Sequence, residues 1–377
     1  RYSVQRSSAV ARAMGFCGTR RLLKEPPKKA ADMGVLNRAD EVWAAVEAGV
    51  RDQWYAVCAS CAVGAGPTAL TRLGERLVLW RDRVGVVHAL ADRCPHRGAA
   101  LSRGRIVDDC IVCGYHGVHV APDGTVANVP AFEGSGLEGR RLVRSFPIKE
   151  HNQTIYAWFG ASSDTEAALL ELPPELDDPE WDGFLCTATW RCHYLYAFDN
   201  LVDPMHGSYL HAQSHTLFGG ARQDRMKIEE INGGFTISRA SGQRGENFDS
   251  GDFLDTGIHW IRIDVPYPTS AGPGGPFRII GYVTPIDDDS CVVFFYRLRR
   301  VEGWQRDLWR FLYKTSLEGR HWQVLEQDRE MLESMSEHAR YHENLYQHDI
   351  GVSRLRRTLY EFAKARVAAV STKKVTR

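Results

Sequence analysis

The sequence has no excess of charge of either sign. Its 377 residues include 47 Lys and Arg and 47 Asp and Glu, which give a formal net charge of zero at pH 7. Chains that bind nucleic acid or anionic membranes through bulk electrostatics carry a surplus of basic residues. The composition therefore argues against nucleic acid as a partner and leaves room for a neutral ligand or a locally charged site.

Long apolar stretches are also missing. No run approaches the roughly 20 apolar residues that a helix needs to span a bilayer, so we predict no membrane span. Residues 1–32 are rich in Arg, Lys, Ser and Ala and precede Met33. This composition is typical of an organellar transit peptide, but a start assigned too far upstream or a cloning remnant has it too. We predict that residues 1–39 form a poorly ordered or non-native segment.

A disulfide framework is the third feature that the sequence lacks. Nine cysteines, an odd number, are spread at irregular spacing along a long chain. Disulfide scaffolds are short, and they form in oxidising compartments. The cysteine pattern favours a reducing compartment, and we predict a cytoplasmic protein.

Two β-rich regions are present, separated by a polar stretch that is rich in proline. From residue 53 to about residue 160, short apolar runs alternate with Gly, Pro and Asp, which predicts a small antiparallel β module. Residues 161–181 follow neither a helical nor a strand period and indicate a domain boundary. Longer apolar runs predict a larger sheet, at 184–196, 235–238, 259–265, 277–283 and 291–298.

The C-terminal part has a helical period. Apolar residues recur at intervals of three and four, with charges between them, over 304–317, 320–338 and 354–367. A further short helix is predicted at 40–48, ahead of the β module. The fold class is therefore α+β, with an all-β domain at 50–162 and a second domain at 163–377.

Two Cys–His pairs form the first candidate metal site. Cys94 and His96 lie in one predicted loop, and Cys113 and His116 lie in another, with sixteen residues between the pairs. A Rieske [2Fe–2S] cluster takes two thiolates on one iron and two imidazoles on the other, so each loop supplies one ligand of each kind. A Cys₂His₂ zinc site is the alternative, but zinc fingers usually pair Cys with Cys and His with His at other spacings. We interpret these four residues, called here the cluster ligands, as binding a [2Fe–2S] centre.

The second candidate site begins with His206 and His211. A five-residue step on a regular α-helix turns two side chains about 140° apart, so both can reach one metal only if the helix is distorted. Pro204 and Gly207 make such a distortion plausible. Two histidines with one carboxylate are the facial triad of mononuclear iron(II) oxygenases. A carboxylate from elsewhere in the chain is required.

Asp328 is the carboxylate that we favour. It lies at helical spacing on the apolar stripe of Leu325 and Leu332, and an acid on an apolar stripe needs a partner. His206, His211 and Asp328 are called here the facial triad. Three glutamates of the same predicted helix are the alternatives, and their period places them toward solvent: Glu326, Glu330 and Glu333.

Together the two sites resemble the α subunits of Rieske non-haem iron oxygenases, in the same order along the chain. The similarity runs from about Trp54 to the C-terminal helices. The matching residues are Cys94, His96, Cys113, His116, Asn200, Asp203, His206, His211 and Asp328. By length, the chain is similar to the phthalate-, phenoxybenzoate- and vanillate-type branch. Val118 departs from the pattern, because the family often has Trp there, which changes the packing beside His116 and leaves the ligands intact.

The resemblance implies an N-terminal Rieske domain, a helix-grip catalytic domain on a curved antiparallel sheet, and a homotrimer. It implies a [2Fe–2S] cluster and a mononuclear Fe(II) as cofactors, with electrons that come ultimately from NAD(P)H through a reductase or ferredoxin. The implied reaction is mono- or dioxygenation of a small, aromatic or related, organic substrate with O₂. Oxidative O- or N-demethylation is the alternative within the family.

The resemblance also implies roles for two further residues. Asn200 and Asp203 belong to the catalytic set, and Asp203 is expected to connect His116 of one subunit with His206 of its neighbour. The alternative for Asp203 is a helix cap, because Asp often stands before a Pro at the first helical position.

Two other classes of function stay open. A Rieske electron carrier needs only the cluster ligands and has no use for the facial triad, and a zinc module needs no iron at all. The number of irons separates them, because the oxygenase binds about three per chain and the carrier about two. For an oxygenase, the walls of the substrate pocket are predicted at 214–220, 259–265 and 277–284.

Overall fold

A computed structural model describes residues 38–132, 134–160, 166–214, 223–241, 250–265, 275, 277–336 and 338–375. Of the predicted N-terminal segment 1–39, only residues 38 and 39 are described, and they begin the first helix. All elements below belong to one unit, Asn37–Arg377. No described helix is both long and apolar enough to cross a membrane.

Among the described residues, ten strands build the N-terminal β region as three antiparallel sheets. The strands are β1 Gln53–Ala59, β2 Thr68–Arg72, β3 Glu75–Arg81, β4 Val87–Ala91, β5 Arg105–Val107, β6 Cys110–Val112, β7 His119–Val120, β8 Val126–Asn128, β9 Ile148–His151 and β10 Thr154–Phe159. Their orders are β1-β10-β9, β2-β3-β4 and β5-β6-β7-β8. The predicted small β module is therefore present.

In the C-terminal region, seven strands of the described part of the chain form one larger antiparallel sheet. They are β11 Trp181–Trp190, β12 Met226–Ile231, β13 Gly234–Arg239, β14 Ser250–Asp255, β15 His259–Val265, β16 Phe277–Pro285 and β17 Cys291–Arg300. The order is β11-β17-β16-β15-β14-β13-β12. Strands β12 and β14 have no counterpart among the runs predicted from the sequence.

Helices cover one face of this sheet. They are α1 Arg38–Glu47, α2 Tyr194–Leu201, α3 Gly207–Leu210, α4 Trp304–Leu312, α5 Glu318–Glu333 and α6 Ile350–Val375. A π-helical turn, Tyr313–Leu317, joins α4 to α5 without a break. The helix predicted at 320–338 therefore starts earlier and ends at Glu333. The helix predicted at 40–48 is α1, which packs on the distant α6 through the rings of Trp43 and Tyr360, 5.3 Å apart.

Both faces of the large sheet are buried, because residues alternate between two apolar cores along each strand. On β17, Phe295 faces the helices, whereas Phe294 and Tyr296 face the N-terminal β region. Tyr296 Oη lies 2.6 Å from Thr154 Oγ1 on β10, so a buried hydrogen bond joins the two regions. The helix-facing side holds the candidate iron site.

One predicted strand was wrong at its end. The apolar run at 184–196 leaves the sheet after Trp190, and its last residues begin α2. His193 caps this helix, since its Nδ1 accepts the backbone N–H of Leu195 at 3.2 Å. Helix α2 is buried and apolar on nearly all sides. The spacing of apolar residues alone cannot distinguish a buried helix from a buried strand.

Candidate metal centres

The first pair of cluster ligands lies in the loop between β4 and β5. The Cys94 N–H donates to the carbonyl of Ala99 at 2.8 Å, and the Gly98 N–H donates to the carbonyl of Cys94 at 2.9 Å. Gly98 has φ +77°, a conformation that L side chains rarely adopt. The loop thus turns tightly around the cysteine and directs His96 outward, where its side chain is exposed.

The second pair lies between β6 and β7, in a loop with the same backbone pattern. The Cys113 N–H donates to the carbonyl of Val118 at 2.9 Å, and the Gly117 N–H donates to the carbonyl of Cys113 at 3.0 Å, with Gly117 at φ +73°. Val118 is buried, so the smaller residue at the position where the family often has Trp is accommodated in the core. The two loops therefore present one Cys and one His each in a similar way.

The four side chains meet at the tips of these loops. The rings of His96 and His116 lie 4.7 Å apart at 70°, and Cys94 and Cys113 are both buried. Burial raises the pKa of the Cys94 thiol, the N–H of His96 opposes this, and the neighbouring Cys113 thiol raises the pKa further. Two buried thiols side by side with two imidazoles fit a [2Fe–2S] cluster, which binds the sulfurs as thiolates.

A buried carboxylate and a glycine support the first loop. Asp92 accepts the N–H of Ser102 at 2.7 Å and its hydroxyl at 2.8 Å, and it pairs with Arg76 at 2.9 Å. Gly104 lies so close to β6 that a Cβ atom would stand 1.9 Å from the carbonyl oxygen of Val112. Only glycine allows this approach, which brings the two loops together.

The facial triad is organised by a single helical turn. His206 directly precedes α3 and His211 directly follows it, so the two histidines lie at the ends of a turn that is separate from α2. Their rings are 5.2 Å apart at 77°. Asp328 Oδ1, on α5, lies 3.5 Å from His206 Nε2 and 3.2 Å from His211 Nε2. The structure therefore brings the predicted triad together, through the helix distortion that the spacing required.

Hydrogen bonds on the far side of each ring set the direction of the imidazoles. His206 Nδ1 lies 2.5 Å from the carbonyl oxygen of Asp203, and His211 Nδ1 lies 2.9 Å from Oε1 of Gln327. Both partners are acceptors, so each Nδ1 carries the proton and each Nε2 keeps its lone pair. Two lone pairs and a carboxylate oxygen then point at one another, which is unfavourable without a cation between them.

The surroundings of Asp328 also indicate that a cation binds between these atoms. Its Oδ1 is buried and has no hydrogen-bond partner among the described residues. Burial lowers the pKa of His211, but the Asp328 carboxylate and then Gln327 outweigh burial and raise this pKa above its ordinary value. A metal cation would take the place of that proton, because metal binding needs the neutral imidazole. The donor set fits an Fe(II) ion.

The alternative carboxylates lie elsewhere on α5. Glu326 and Glu333 both form ion pairs with Arg329, and Glu333 also pairs with Arg191. Glu330 is exposed. The described residues contain one group of three His, Cys, Asp or Glu side chains that could hold a metal ion, and it is the facial triad.

The structure gives Asp203 a role within its own chain. Its Oδ1 accepts the N–H of Met205 at 2.8 Å, so it stabilises the turn before α3, in agreement with the capping alternative. Its Oδ2 lies 3.8 Å from His206 Nδ1, which is too long for a hydrogen bond. The link to His116 of another subunit stays a prediction. Asn200 lines the cavity beside the triad.

That cavity is mostly apolar. Its walls include Ile263, Val265, Phe277, Ile279 and Phe295. The first four belong to the predicted wall segments 259–265 and 277–284, and of the predicted segment 214–220 only residue 214 is described. Three polar residues near the triad had no role assigned from the sequence: Gln327 behind His211, and Arg297 and His321 in the cavity wall.

The relation to known proteins follows from two matches that together cover most of the chain. Residues 53–147 match the Rieske [2Fe-2S] domain, and residues 190–365 match the vanillate O-demethylase oxygenase C-terminal domain. The dicamba O-demethylase oxygenase component of Stenotrophomonas maltophilia is 33% identical over 268 residues, which cover 65% of this chain and 77% of that protein. The chain belongs to the Rieske non-haem iron oxygenases.

Other Rieske oxygenases match over a shorter part. The vanillate O-demethylase oxygenase subunit of a Pseudomonas species is 32% identical over 164 residues, 44% of this chain and 46% of the relative. The chloroacetanilide N-alkylformylase oxygenase component of Rhizorhabdus wittichii is 36% identical over 170 residues, 43% and 47% of the two chains. The chain thus spans about half the length of these curated relatives.

Solved Rieske oxygenases share the fold. Dicamba monooxygenase bound to dicamba superimposes with a TM-score of 0.64 at 22% identity, over 84% of this chain and 98% of that one. The terminal oxygenase of carbazole 1,9a-dioxygenase from Novosphingobium sp. KA1 gives 0.70 at 20% identity, over 87% and 95%. The predicted fold class, a β Rieske domain followed by an α+β domain on a large antiparallel sheet, is confirmed.

Proposed function

We propose that this chain is a terminal oxygenase component, which uses electrons from a reductase or ferredoxin and O₂ to hydroxylate a small aromatic substrate. The observation that carries the proposal is the facial triad, where two imidazoles and one buried carboxylate oxygen lie within 4.8 Å of one another. An electron carrier has no use for such a group. The cluster ligands alone fit either function.

Each set of residues has a separate task. When bound, the [2Fe–2S] cluster relays single electrons and Fe(II) activates O₂. The cluster ligands hold one centre at the surface, and the facial triad holds the other beside the cavity. Gln327 and the Asp203 carbonyl fix the imidazoles, since an imidazole whose N–H has an acceptor cannot rotate freely.

The cavity supplies binding and exclusion of water. Its apolar wall, with Phe277 and Phe295, suits an aromatic ring, and apolar walls favour a dry site for the reaction. Asn200 lies in the same wall and supplies an amide that can donate or accept a hydrogen bond near the triad.

Partners and assembly are part of the proposal. Electrons come ultimately from NAD(P)H through the reductase or ferredoxin, and the exposed His96 and Tyr115 give such a partner access to the cluster loops. The chain forms a homotrimer, in which Asp203 of one subunit connects its own His206 to His116 of the next. The location is cytoplasmic, in line with the free thiols of the described cysteines.

Product analysis with ¹⁸O₂ tests the proposal. The purified chain, with a surrogate reductase, is given a panel of aromatic acids, aryl ethers and N-methyl compounds. Incorporation of ¹⁸O into a ring hydroxyl is the expected result. Release of formaldehyde with an unlabelled ring would assign demethylation instead, and reduction of the cluster without O₂-dependent product from any compound would assign an electron carrier.

A further inference from the structure

Arg297 is a buried cation in the wall of the cavity. It lies on the helix-facing side of β17 and is 3% exposed. One terminal nitrogen donates to Tyr313 Oη at 3.0 Å, and the other donates to the carbonyl of His321 at 3.3 Å. The guanidinium also stands over the ring of Trp322, 5.2 Å from its centre. All these partners are neutral.

No carboxylate among the described residues lies within ion-pair distance of Arg297. Two arginines on β15 and β16 differ in this respect, because Arg262 and Arg278 both pair with the buried Glu175 at 2.8 and 2.7 Å. Buried charges are normally paired, and an unpaired one carries a desolvation cost. Arg297 lines the cavity and has this uncompensated desolvation cost, so it is a candidate for binding an anion from outside the chain.

The surroundings of Arg297 favour an oxyanion. Burial and then Arg297 lower the pKa of His321 to about 3, so this cavity residue is neutral and Arg297 provides the charge. A guanidinium has five N–H donors in a fork that matches a carboxylate, and neutral partners occupy only part of them. The π-helical turn places Tyr313 against Arg297 and fixes one side of the fork.

The helix that supplies His321 also sets a distance. His321 and Asp328 are seven residues apart on α5, which corresponds to roughly 10 Å along the helix axis. Arg297 contacts α5 at His321 and the facial triad contacts it at Asp328, so both line the same cavity and meet this helix about two turns apart. This separation suits an anion and a reacting group on opposite sides of an aromatic ring, and it disfavours neighbouring ring positions.

We propose that Arg297 binds an oxyanion of the substrate, a carboxylate or sulfonate, and holds the opposite end of the ring at the facial triad. This inference rests on the proposed oxygenase function and specifies its substrate class. Arg297 is a specificity-determining residue in this proposal.

The test is a set of dissociation constants measured by titration calorimetry on the full chain with both metal centres. The probes are 4-methoxybenzoate, 4-methoxybenzenesulfonate, the neutral 4-methoxybenzamide and the ortho isomer 2-methoxybenzoate. We expect wild-type protein to bind at least one of the two para anions about tenfold or more tightly than the amide, because hydrogen bonds to charged groups are the strong ones. The carboxylate and sulfonate arms show which oxyanion fits, and 2-methoxybenzoate should bind more weakly than its para isomer.

Three variants test whether Arg297 causes the preference for an anion over the amide. Arg297→Met should lose the discrimination between anion and amide, and Arg297→Lys should keep part of it. Arg300→Met is the matched control, because Arg300 is an exposed residue of the same strand that pairs with Glu180, and it should behave as wild type.

Several results would overturn the inference. One is that wild-type protein binds the anions and the amide equally tightly, or binds none of them measurably. Another is that folded Arg297→Met retains the tenfold preference for an anion over the amide. Binding of the ortho isomer as tight as the para isomer would overturn the separation of the two ends. Iron content and the absorption of the cluster, measured on the same samples, report the proposed function independently of these constants.

Discussion

At the scale of single residues, Gln327 shows how the chain positions a metal ligand without touching the metal. Its Oε1 is the acceptor for His211 Nδ1, so it fixes both the rotation and the tautomer of that ring. The residue stands next to Asp328, and nothing in the sequence distinguishes it from a solvated glutamine of an amphipathic helix. Only the approach of α5 to α3 reveals the contact.

Replacement of this glutamine should weaken the iron site selectively. We expect Gln327→Ala to lower the affinity for the mononuclear iron about 10- to 100-fold, since outer hydrogen-bond partners typically contribute this much. Chelator competition with iron analysis measures the loss, and the [2Fe–2S] absorption should not change. Gln323→Ala, at an exposed position one turn earlier on α5, is the control. Iron affinity equal to wild type in Gln327→Ala would show that the hydrogen bond has no such role.

The cluster ligands give a second prediction at this scale. His96→Ala and Cys113→Ala should each abolish the EPR signal of the reduced cluster, because loss of either ligand exposes an iron. Cys110→Ala is the control, since this half-buried thiol lies three residues before Cys113 and outside the ligand set. A normal signal in both ligand variants would remove the assignment of the loops.

The sequence predicts ligands better than it predicts the residues around them. Metal chemistry restricts the donors to Cys, His and carboxylates at a few spacings, so His206 and His211 can be found from one short segment. No such rule joins Arg297 on β17 to His321 on α5, because strand pairing and helix packing bring them together. A charged residue inside the apolar run 291–298 was the one available signal.

At the scale of elements, His193 connects the end of α1, the start of α2 and a short 3₁₀ helix, Ala339–Tyr341. Its Nδ1 accepts from the Leu195 N–H at 3.2 Å and from Arg340 at 2.6 Å, and its Nε2 donates to the carbonyl of Glu47 at 3.1 Å. Burial, and then the positive charge of Arg340, lower the pKa of His193 to about 3. The start of α2 is therefore held by a neutral imidazole.

This histidine makes the stability of the fold depend on pH. The unfolded chain protonates a histidine near pH 6.5, whereas folded His193 does so near pH 3, so the unfolded state binds more protons between these values. The contribution to stability is complete above pH 6.5 and falls by about 1.4 kcal/mol per pH unit below it. We expect His193→Gln to reduce the slope of the free energy of unfolding against pH, measured with urea between pH 7 and 5.5. His342→Gln, at an exposed position, is the control. An unchanged slope in His193→Gln would contradict this role.

Helices and strands whose apolar residues recur at a regular interval were predicted from the sequence, and those without such an interval were not. Strands β15, β16 and β17 and the long C-terminal helices follow their periods closely. Strand β12 was missed because it alternates poorly, with adjacent Glu229 and Glu230 at an exposed position. The distortion around α3 was predicted because two histidines five residues apart cannot both reach one metal from a regular helix.

At the scale of the whole molecule, the two candidate metal centres have different surroundings. The second cluster loop carries Tyr115, which is 61% exposed. The facial triad is covered by the sheet and helices, but Asp203 and His206 also line a surface cavity together with the exposed Tyr209 and Leu345. This surface beside an iron ligand is where we propose that another copy of the chain binds.

Asp203 should control electron delivery in the proposed trimer. We expect Asp203→Asn to keep both metals and the trimer but to slow electron transfer from the reduced cluster to the iron about tenfold or more in single-turnover experiments. Asparagine still accepts the Met205 N–H, so the turn before α3 is retained. Asp349→Asn is the control, because Asp349 lines the same cavity and caps the N–H of Tyr346. Normal electron transfer in Asp203→Asn would leave Asp203 as a cap.

The order of the regions was predictable, but the packing between distant parts was not. Pro- and Asp-rich residues at 161–181 separate two β regions of different strand length, so the two-region plan is visible in the sequence. The division at 50–162 and 163–377 stays a prediction. The packing of α1 against α6 joins residues more than 300 positions apart. An apolar stripe predicts that one face of a helix is buried, but it does not show which element packs against that face.

The iron content of the chain decides between an oxygenase and an electron carrier. We expect about three irons and two acid-labile sulfides per wild-type chain, and about two irons in Asp328→Ala with the cluster spectrum unchanged. Glu330→Ala, which changes an exposed glutamate of the same helix, should keep all three. About two irons per chain in all three proteins would rule out the mononuclear iron site and leave an electron carrier.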